Sequence, residues 1–460
     1  MRAALSALPR LTIRGWAFVA AGIACFVVMD VLQRREFAFV GLFIIALPLL
    51  AALGVSAYRL PYTVERRFSP ELAAAGSEVT VRVIVRNWGM LPGPEATWAD
   101  AVARPLEPTP PALFARLRGF RSSVTEAPVP VQLSYELGAS HRGEHPVGPF
   151  TVFITDPFGM VVGRKHVGGS DVLVVTPSTV ALPHGALRLA SGSGAAQQSR
   201  QIGGGGEHDV ISRKYQTGDS MRRVNWSATA RFGELMVRQD DQQNDQHAVV
   251  VLDSARSSYG FGSDTAGVAP FSPEFEWAVS MAASIGLHLL GEGFHVRVVD
   301  SADGLANARG RFHTDGTRFE PNSGDDDLLL HAAKSKLIEA YEVDFHSALS
   351  RSESSAGDLP PMFAVVGNLS PASAQSLAGS ARFASGAVAV IVIAPPAAHH
   401  GPAQKISAHG RAAHNSADPP RWALDLREQL EAGGWIAQFV TSDEAPSVVW
   451  GSVDGERLVL

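Results

Sequence analysis

Two apolar runs near the N-terminus constrain the fold of this chain more than any other feature. Gly15–Leu32 is apolar until Asp30, and Phe37–Ala57 contains no charged residue. Each run is close to the length of about 20 residues that a helix needs to cross the hydrocarbon core of a bilayer. The polar link between them, Gln33–Glu36, is long enough only for a tight hairpin. The sequence therefore predicts a two-helix membrane anchor over residues 15–60.

A cleaved signal peptide is the alternative interpretation of the first run. The second run follows at once and no small-residue cleavage site separates the two, so the anchor is favoured. Arginines flank both outer ends of the hairpin, which by the positive-inside rule favours a cytoplasmic position for both termini; they are Arg2, Arg10, Arg14, Arg59, Arg66 and Arg67. An even number of spans then places the tail, residues 1–14, and everything after residue 60 on the same cytoplasmic side.

Net charge and cysteine content exclude several classes of function. The chain of 460 residues has a net charge of −6, which gives no overall reason to expect nucleic-acid binding. The single cysteine, Cys25, lies in an apolar run. Disulfides and cysteine-based zinc sites within one chain are therefore excluded.

Short alternating strands follow the anchor. Glu78–Asn87 places four valines on one face and mostly polar residues on the other. Val131–Leu137, Phe150–Asp156 and Asp171–Pro177 are further strand candidates bounded by turn residues. The pattern predicts an antiparallel β-sandwich over residues 61–180.

Residues 181–206 are predicted to form a flexible linker, because the stretch Ser191–Glu207 within and just after it is rich in glycine and serine. Its four consecutive glycines, Gly203–Gly206, are not followed by the Lys-Ser/Thr pair of a phosphate-binding loop. A phosphate loop is therefore rejected at this position.

Residues 246–460 alternate apolar strands with helix-length segments, which requires crossover connections and predicts a doubly wound α/β domain. The predicted strands are His247–Asp253, Phe294–Asp300, Met362–Gly367, Ala387–Ala394 and Trp435–Val440. The predicted helices are Phe275–Leu290, Asp327–Leu349, Pro371–Phe383 and Arg421–Ala432. A segment at 395–420 interrupts the domain, and its four histidines are predicted to belong to a flexible surface loop, since no helical spacing pairs them as metal ligands.

The end of the first of these strands is a candidate site, because ligands of such sheets bind beyond the carboxyl ends of the strands. Asp253 ends the strand and Ser257 follows shortly after. The loop resembles the Asp-x-Ser-x-Ser loop of von Willebrand factor type A domains, which implies a divalent cation such as Mg²⁺ held by hard oxygen ligands. Ala255 replaces the middle serine, and Asn368 stands where that family often has an aspartate. A degenerate site at Asp253 and Ser257 is therefore favoured over an occupied Mg²⁺ site.

Residues 207–245 contain the densest group of arginines in the chain. Asp219 and Ser220 suit a helix N-cap and Gly233 a helix stop, which predicts a helix over Ser220–Phe232 and a strand over Glu234–Gln239. Four interpretations stay open for the cluster. Its arginines could bind an anion, pair with carboxylates of another domain or present a partner surface. In the fourth, Trp226 is a core residue and the arginines anchor local groups.

The same stretch resembles the defining motif of the bacterial family catalogued as domain of unknown function 58. The upstream segment His141–Met160, which ends in Asp-Pro-Phe-Gly-Met, is also similar to that family. The matching motif positions are Arg213, Tyr215, Gly218, Asp219, Arg222, Arg223, Val224, Trp226, Ala230, Arg231, Leu235, Val237 and Arg238.

The resemblance implies a membrane protein without an established enzymatic activity or catalytic residues. Such proteins are commonly encoded beside MoxR-type AAA+ ATPases and often beside transglutaminase-like membrane proteins. We therefore expect a non-enzymatic adaptor or scaffold, held at the bacterial inner membrane with a cytoplasmic soluble region, that helps to assemble or remodel protein complexes. The alternatives are a structural cell-envelope protein that binds wall or protein ligands, and a metal-dependent enzyme that uses Asp253 with His295 or Asp300.

Overall fold

The computed structural model of the chain forms two compact units, Met1–Ser178 and Thr179–Leu460. The residues that it describes are 9–107, 111–114, 117–119, 128–183, 212–215, 224, 226–238, 246–260, 271–303, 305, 316–340, 342–350, 359–395 and 419–455. Several predictions lie outside these residues: those for tail residues 1–8, linker residues 184–206, insertion residues 396–418, and the motif positions Gly218, Asp219, Arg222 and Arg223.

Two long apolar helices begin the first unit. Helix α1 spans Ile13–Leu32 and helix α2 spans Glu36–Ala57. Both are long and apolar enough to cross a membrane, and only 11% and 17% of their apolar windows are buried. The core helix of a soluble domain would instead be mostly buried. The two helices therefore point to membrane association, as the sequence predicts.

Two glycines bring these helices together. A Cβ atom on Gly41 would lie 2.9 Å from the carbonyl oxygen of Gly22, and a Cβ atom on Gly22 would lie 2.9 Å from that of Gly41. Small residues at a helix crossing allow such close backbone approach, which dispersion then stabilises.

Two β-sheets form the rest of the first unit, which confirms the β-rich region that the sequence predicts. One sheet has three strands in the order β2-β4-β7, and the other has seven and includes β1, which precedes α1. The strands are β1 (Arg10–Leu11), β2 (Tyr62–Ser69), β3 (Leu72–Ala74), β4 (Ser77–Asn87), β5 (Ala96–Val102), β6 (Ala112–Phe114), β7 (Val131–Ala139), β8 (Gly143–Thr155), β9 (Val161–Val167) and β10 (Asp171–Thr176). The four alternating valines of β4 are all fully buried in the core that the two sheets share.

A buried ion network crosses this core. Arg66 on β2 has a side chain with no exposed surface and forms a bidentate pair with Asp100 on β5, at 2.8 and 2.7 Å. Its third nitrogen donates to Asp171 at 2.9 Å and to the carbonyl oxygen of Gly169 at 3.0 Å. Tyr135 donates its hydroxyl to Asp100, and burial together with the charge of Asp100 raises the pKa of Tyr135. The positive-inside count above includes Arg66, whose charge these carboxylates balance in the folded domain.

Both ends of the helical hairpin contact the β-sandwich at strand β9 or at the turn that precedes it. Strand β1 runs antiparallel to the start of β9, and Thr12 at the N-cap of α1 donates its hydroxyl to the carbonyl oxygen of Gly159 at 2.7 Å. At the other end, Lys165 on β9 donates to the carbonyl oxygen of Ser56 near the end of α2 at 2.8 Å. A Cβ atom on Gly163 would overlap Cγ1 of Val55 on α2.

The close approach of Gly163 to Val55 makes a stability prediction. Gly163→Ala is expected to lower the free energy of unfolding of the first unit by about 1–3 kcal/mol, because the added methyl group overpacks this contact. The variant Gly163→Ala/Val55→Ala is expected to recover most of the loss. Hydrogen exchange of the β9 amides measures both. A double variant as unstable as Gly163→Ala would show that the overlap is not the cause.

The second unit contains a six-stranded sheet in the order β15-β14-β13-β16-β17-β18. Strand β15 is antiparallel to its neighbour, and the other strands pair in parallel. The strands are β13 (His247–Leu252), β14 (His295–Asp300), β15 (Thr317–Phe319), β16 (Pro361–Val366), β17 (Gly386–Ile393) and β18 (Ile436–Thr441). A separate antiparallel pair is formed by β11 (Ser212–Lys214) and β12 (Met236–Arg238).

Buried side chains lie on both faces of the six-stranded sheet, as the near-continuous apolar strands predict. The helices are α3 (Trp226–Phe232), α4 (Pro273–Gly291), α5 (Asp325–Lys334), α6 (Phe345–Ser350), α7 (Pro371–Ala378), α8 (Arg421–Ala432) and α9 (Pro446–Gly455). Helix α4 packs into the core on one face, and α7 and α8 into the core on the other. The strand order changes direction between β13 and β16, which makes their carboxyl ends the switch point of the sheet.

One prediction about this unit is wrong. The predicted helix Asp327–Leu349 is instead two helices, α5 and α6, because the backbone between them bonds to the loop after β13: Ile338 donates its N–H to the carbonyl oxygen of Ser254 at 2.8 Å. Residues 181–183 of the segment predicted as linker lie within the second unit. Leu182 is buried in the core of this unit, and Trp450 donates its indole N–H to the carbonyl oxygen of Pro183 at 2.9 Å.

Candidate functional site

Asp253 lies at the switch point of the six-stranded sheet, directly after β13, where the sequence predicts a site. Its side chain has no solvent exposure. Its carboxylate accepts hydrogen bonds from the N–H of Ala255 at 3.0 Å, the hydroxyl of Ser301 at 3.0 Å and the N–H of Gly367 at 3.4 Å. These donors come from its own loop and from the ends of the two strands that flank β13.

Further hydrogen bonds close the loop around this carboxylate. The hydroxyl of Tyr259 donates to the backbone carbonyl of Asp253 at 2.7 Å, and the N–H of Ser254 donates to the hydroxyl of Ser301 at 2.8 Å. The N–H of Asn368 donates to the carbonyl oxygen of Ser258 at 2.9 Å. Burial raises the pKa of Asp253, although hydrogen bonds from Ser258, Ala255 and Ser301 oppose the shift. The carboxylate is thus enclosed by protein donors.

Ser257, the other predicted ligand, does not join Asp253. Its hydroxyl donates to the carbonyl oxygen of Ala340 at 3.0 Å, on the segment between α5 and α6. Ala255 supplies no ligand atom, and Asp253 has no exposed oxygen. The residues therefore do not fit a divalent-cation site of the type A kind. Within the described ranges, no three or more histidine, cysteine, aspartate or glutamate residues are placed to hold a metal ion.

The other candidates for acid–base chemistry, His295 and Asp300, lie at opposite ends of β14. His295 begins β14 and pairs in register with His247, whereas Asp300 ends β14 beside Leu252. The strand rises about 3.3 Å per residue from His295 to Asp300, so His295 is roughly 16 Å from the end of the sheet where Asp253 lies. Asp300 accepts the N–H groups of Ala302 and Asp303 in its own turn, and burial followed by the charge of Asp303 raises its pKa. No nucleophile–base pair forms from these residues.

The arginine-rich motif forms a strand–helix–strand unit that differs in part from the predicted one. Arg213 on β11 lies opposite Val237 on β12, and Arg238 lies opposite Ser212. The N–H of Tyr215 donates to the carbonyl oxygen of Leu235 at 2.8 Å. The strand predicted over Glu234–Gln239 is confirmed as β12.

The predicted helix Ser220–Phe232 is too long at its N-terminal end. Val224 is buried and forms a β-bridge with Val237, and helix α3 begins at Trp226. A β-branched residue suits a strand pairing better than a helix, which accounts for the difference. Val224 is thus core, as its place in the predicted apolar stripe implies, but it is not helical.

Helix α3 exposes large side chains. Trp226 is 66% exposed and Phe232 is 65% exposed. Arg231, adjacent to Phe232, is also exposed. Lys214 and Glu234 form an ion pair at the base of this unit, with both side chains largely exposed. The interpretation that Trp226 is a core residue is therefore wrong.

Sequence reasoning missed the partners of Asp253. Ser301 directly follows β14 and Gly367 directly follows β16, so both stand at the carboxyl ends of strands next to β13. A polar residue directly after a predicted neighbouring strand is the signal that could have found Ser301. Gly367 contributes its backbone N–H, and a backbone donor cannot be identified from the residue type.

Comparisons with known proteins place this motif in a family. The model of the family described as "Protein of unknown function DUF58" matches residues 211–309, which include α3, β12 and the loop that carries Asp253. No curated protein matches the chain significantly.

Solved structures show only weak similarity. The CARDB domain of the PF1109 protein from Pyrococcus furiosus is 14% identical over 24% of this chain and 97% of its own, with a TM-score of 0.17. A cycloisomaltooligosaccharide glucanotransferase from Paenibacillus sp. is 11% identical over 82% of this chain and 53% of its own, with a TM-score of 0.20. A family two carbohydrate esterase from Cellvibrio japonicus is 10% identical over 87% and 95%, with a TM-score of 0.19. Scores this low carry no argument about this fold.

Proposed function

We propose that this chain, which belongs through residues 211–309 to the DUF58 family, is a non-enzymatic adaptor tethered to the bacterial inner membrane. Its partner is a MoxR-type AAA+ ATPase, as the family resemblance implies, and a transglutaminase-like membrane protein is a further candidate. The adaptor helps to assemble or remodel protein complexes at the membrane.

The exposed side chains of α3 are the observation that carries this proposal. Trp226 and Phe232 each expose about two thirds of their surface within the family motif, next to exposed Arg231. Burial of large aromatic side chains is the main source of stability in a fold, so exposing two of them on one short helix has a cost in stability. Tryptophan and arginine are also the residues most enriched among those that dominate protein–protein affinity. A partner that covers this helix accounts for both features.

The architecture of the second unit supports the same role. The von Willebrand factor type A-like architecture that we propose for this unit is supported by the order of its six-stranded sheet and by the place of Asp253 at the switch point. The enclosed carboxylate of Asp253 supports a docking domain over a metal-dependent enzyme, because a buried and fully hydrogen-bonded group is not placed to contact a substrate. Insertion of the hydrophobic hairpin in the membrane, with the rest of the chain on the cytoplasmic side, would bring the adaptor to a cytoplasmic ATPase.

Binding to a purified MoxR-type ATPase of the same organism tests the proposal. The full chain in lipid nanodiscs is titrated with the ATPase in the presence of ATP or ADP. The variant Trp226→Ala/Phe232→Ala is expected to bind about 30-fold more weakly, because truncating a dominant interface residue costs about 2 kcal/mol or more.

The matched control is Leu424→Ala, which truncates an exposed apolar residue of the same unit on α8. It is expected to bind like the wild type. Equal binding by the wild type and the α3 variant would exclude α3 as the docking surface. A reporter fused after residue 60 that reads out on the outer side of the membrane would contradict a cytoplasmic partner altogether.

A further inference from the structure

A pocket opens where α2 ends. Its lining consists of two short segments, residues 56–60 after the apolar span and residues 165–167 on β9, and its volume is about 660 Å³. Helix α2 ends at Ala57, and the exposed ring of Tyr58 follows. Tyrosine is enriched where a membrane-spanning helix meets the water interface. In a hairpin that spans the membrane, this pocket would therefore lie at the level of the lipid headgroups.

The lining of this pocket is cationic. Arg59 and Lys165 supply its positive charges, and none of its lining residues is an aspartate or glutamate. His166 also lines the pocket, but burial and the charge of Arg164 lower its pKa, so its ring is not counted as a cation. Lys165 uses one N–H donor on the carbonyl oxygen of Ser56 at 2.8 Å. An ammonium group has three donors, so this contact fixes the group and leaves donors for another acceptor. The guanidinium of Arg59 can donate hydrogen bonds to two oxygens of a phosphate at once.

The backbone segments that carry the cations of this pocket are held in place by the fold. Strand β9 is hydrogen-bonded to β8 on one side and to β1 on the other, and β1 leads directly into α1. Val55 of α2 packs on the backbone of β9 at Gly163. Both segments that line the pocket are thus fixed to the apolar hairpin. This rigidity distinguishes the pocket from a flexible basic tail, which attracts an anionic surface without forming a defined site.

We propose that this pocket binds the phosphate of an anionic phospholipid headgroup, with Arg59 and Lys165 as the charged contacts. The bound lipid would hold the sandwich at a fixed orientation on the membrane. The proposal depends only on the membrane association of α1 and α2, so it can fail or succeed independently of any ATPase partner.

Lipid selectivity of the full chain tests this proposal. The protein is reconstituted with spin-labelled phosphatidylglycerol or spin-labelled phosphatidylcholine, and electron paramagnetic resonance gives the ratio of their association constants. The wild type is expected to prefer phosphatidylglycerol. In Arg59→Gln/Lys165→Gln the ratio is expected to fall about fivefold or more, which is the effect of removing a basic residue near an anionic surface.

The matched control is Arg67→Gln/Arg82→Gln, which removes two exposed charges of the same unit that do not line the pocket. An unchanged ratio is expected. An equal fall in both double variants, or an unchanged ratio in the pocket variant, would overturn the proposal.

Two further measurements test whether the variants fold and whether free phosphate binds in place of the lipid. Arg59→Lys/Lys165→Arg keeps both charges and is expected to retain the preference, and hydrogen exchange of β9 reports whether each variant folds. Inorganic phosphate at millimolar concentration is expected not to reduce the preference of the wild type. Displacement of the lipid by phosphate would show an anion site without headgroup recognition and would overturn the proposal. A wild type without a preference for phosphatidylglycerol would also overturn it.

Discussion

Asp100→Ala is expected to lower the free energy of unfolding of the β-sandwich by about 3–5 kcal/mol, the cost of leaving a buried charge without its partner. The guanidinium of Arg66 has no exposed surface and relies on Asp100 for two of its hydrogen bonds. Asp171 would remain, but its side chain is about half exposed and contacts only one nitrogen of Arg66. The hydroxyl of Tyr135 would also lose its acceptor.

Hydrogen exchange of the full chain in detergent measures this loss strand by strand. Protection of the amides in β2, β5 and β8 is expected to fall by about two to four orders of magnitude, as a loss of this size requires. The control is Glu65→Gln, which breaks the exposed ion pair of Glu65 with Arg86 at 2.6 Å. That change is expected to cost at most about 1 kcal/mol. A similar small loss for Asp100→Ala would mean that water reaches Arg66.

The sequence predicts most of the elements of this fold because apolar periodicity depends on few residues at a time. The alternating valines of β4 and the apolar runs of β13, β16 and β17 are found from neighbours alone. Arg66 shows the limit of such reasoning. An arginine shortly after a membrane span is expected at the surface, and its burial depends on carboxylates 34 and 105 residues away.

The sequence locates the candidate site but does not identify the residues that enclose Asp253. Asp253 is found because the end of an apolar strand is the place where such sheets carry polar residues. Its enclosure depends on Ser301 and Gly367, which are 48 and 114 residues away. The break in the predicted helix Asp327–Leu349 has the same origin, because the backbone of Ile338 pairs with the loop after β13 and not with a helical turn. Hydrophobic periodicity does not detect a backbone pairing with a distant loop, so it cannot predict where this helix breaks.

The motif shows a different limit. Its spacing is compatible with Trp226 on either the core side or the solvent side, because a short helix offers too few turns to define a buried face. The bridge between Val224 and Val237 precedes α3, which begins at Trp226. The exposure of Trp226 is known only from the structure.

Asp253→Ala is expected to lower the free energy of unfolding of the second unit by about 2–4 kcal/mol, because several buried donors would lose their acceptor. The donors are the N–H groups of Ala255 and Gly367 and the hydroxyl of Ser301, which itself holds the N–H of Ser254. Hydrogen exchange of β13, β14 and β16 measures the loss. The conservative control is Ser257→Ala, which removes one partly buried hydrogen bond to Ala340 and is expected to cost about 1 kcal/mol.

The pH dependence of Asp253→Asn separates a structural carboxylate from a metal ligand. Burial raises the pKa of Asp253 above its ordinary value of 3.8, so the folded state holds this proton more tightly than the unfolded state. As the pH rises from about 4 through the raised pKa, the stability of the wild type is therefore expected to fall relative to Asp253→Asn, which has no proton to release. Both proteins are measured with and without a chelator of divalent cations. A wild type that instead gains stability over Asp253→Asn as the pH rises, or that loses stability when the chelator is added, would show that a cation stabilises the charged carboxylate, and Asp253 would then have to be assigned to a metal site.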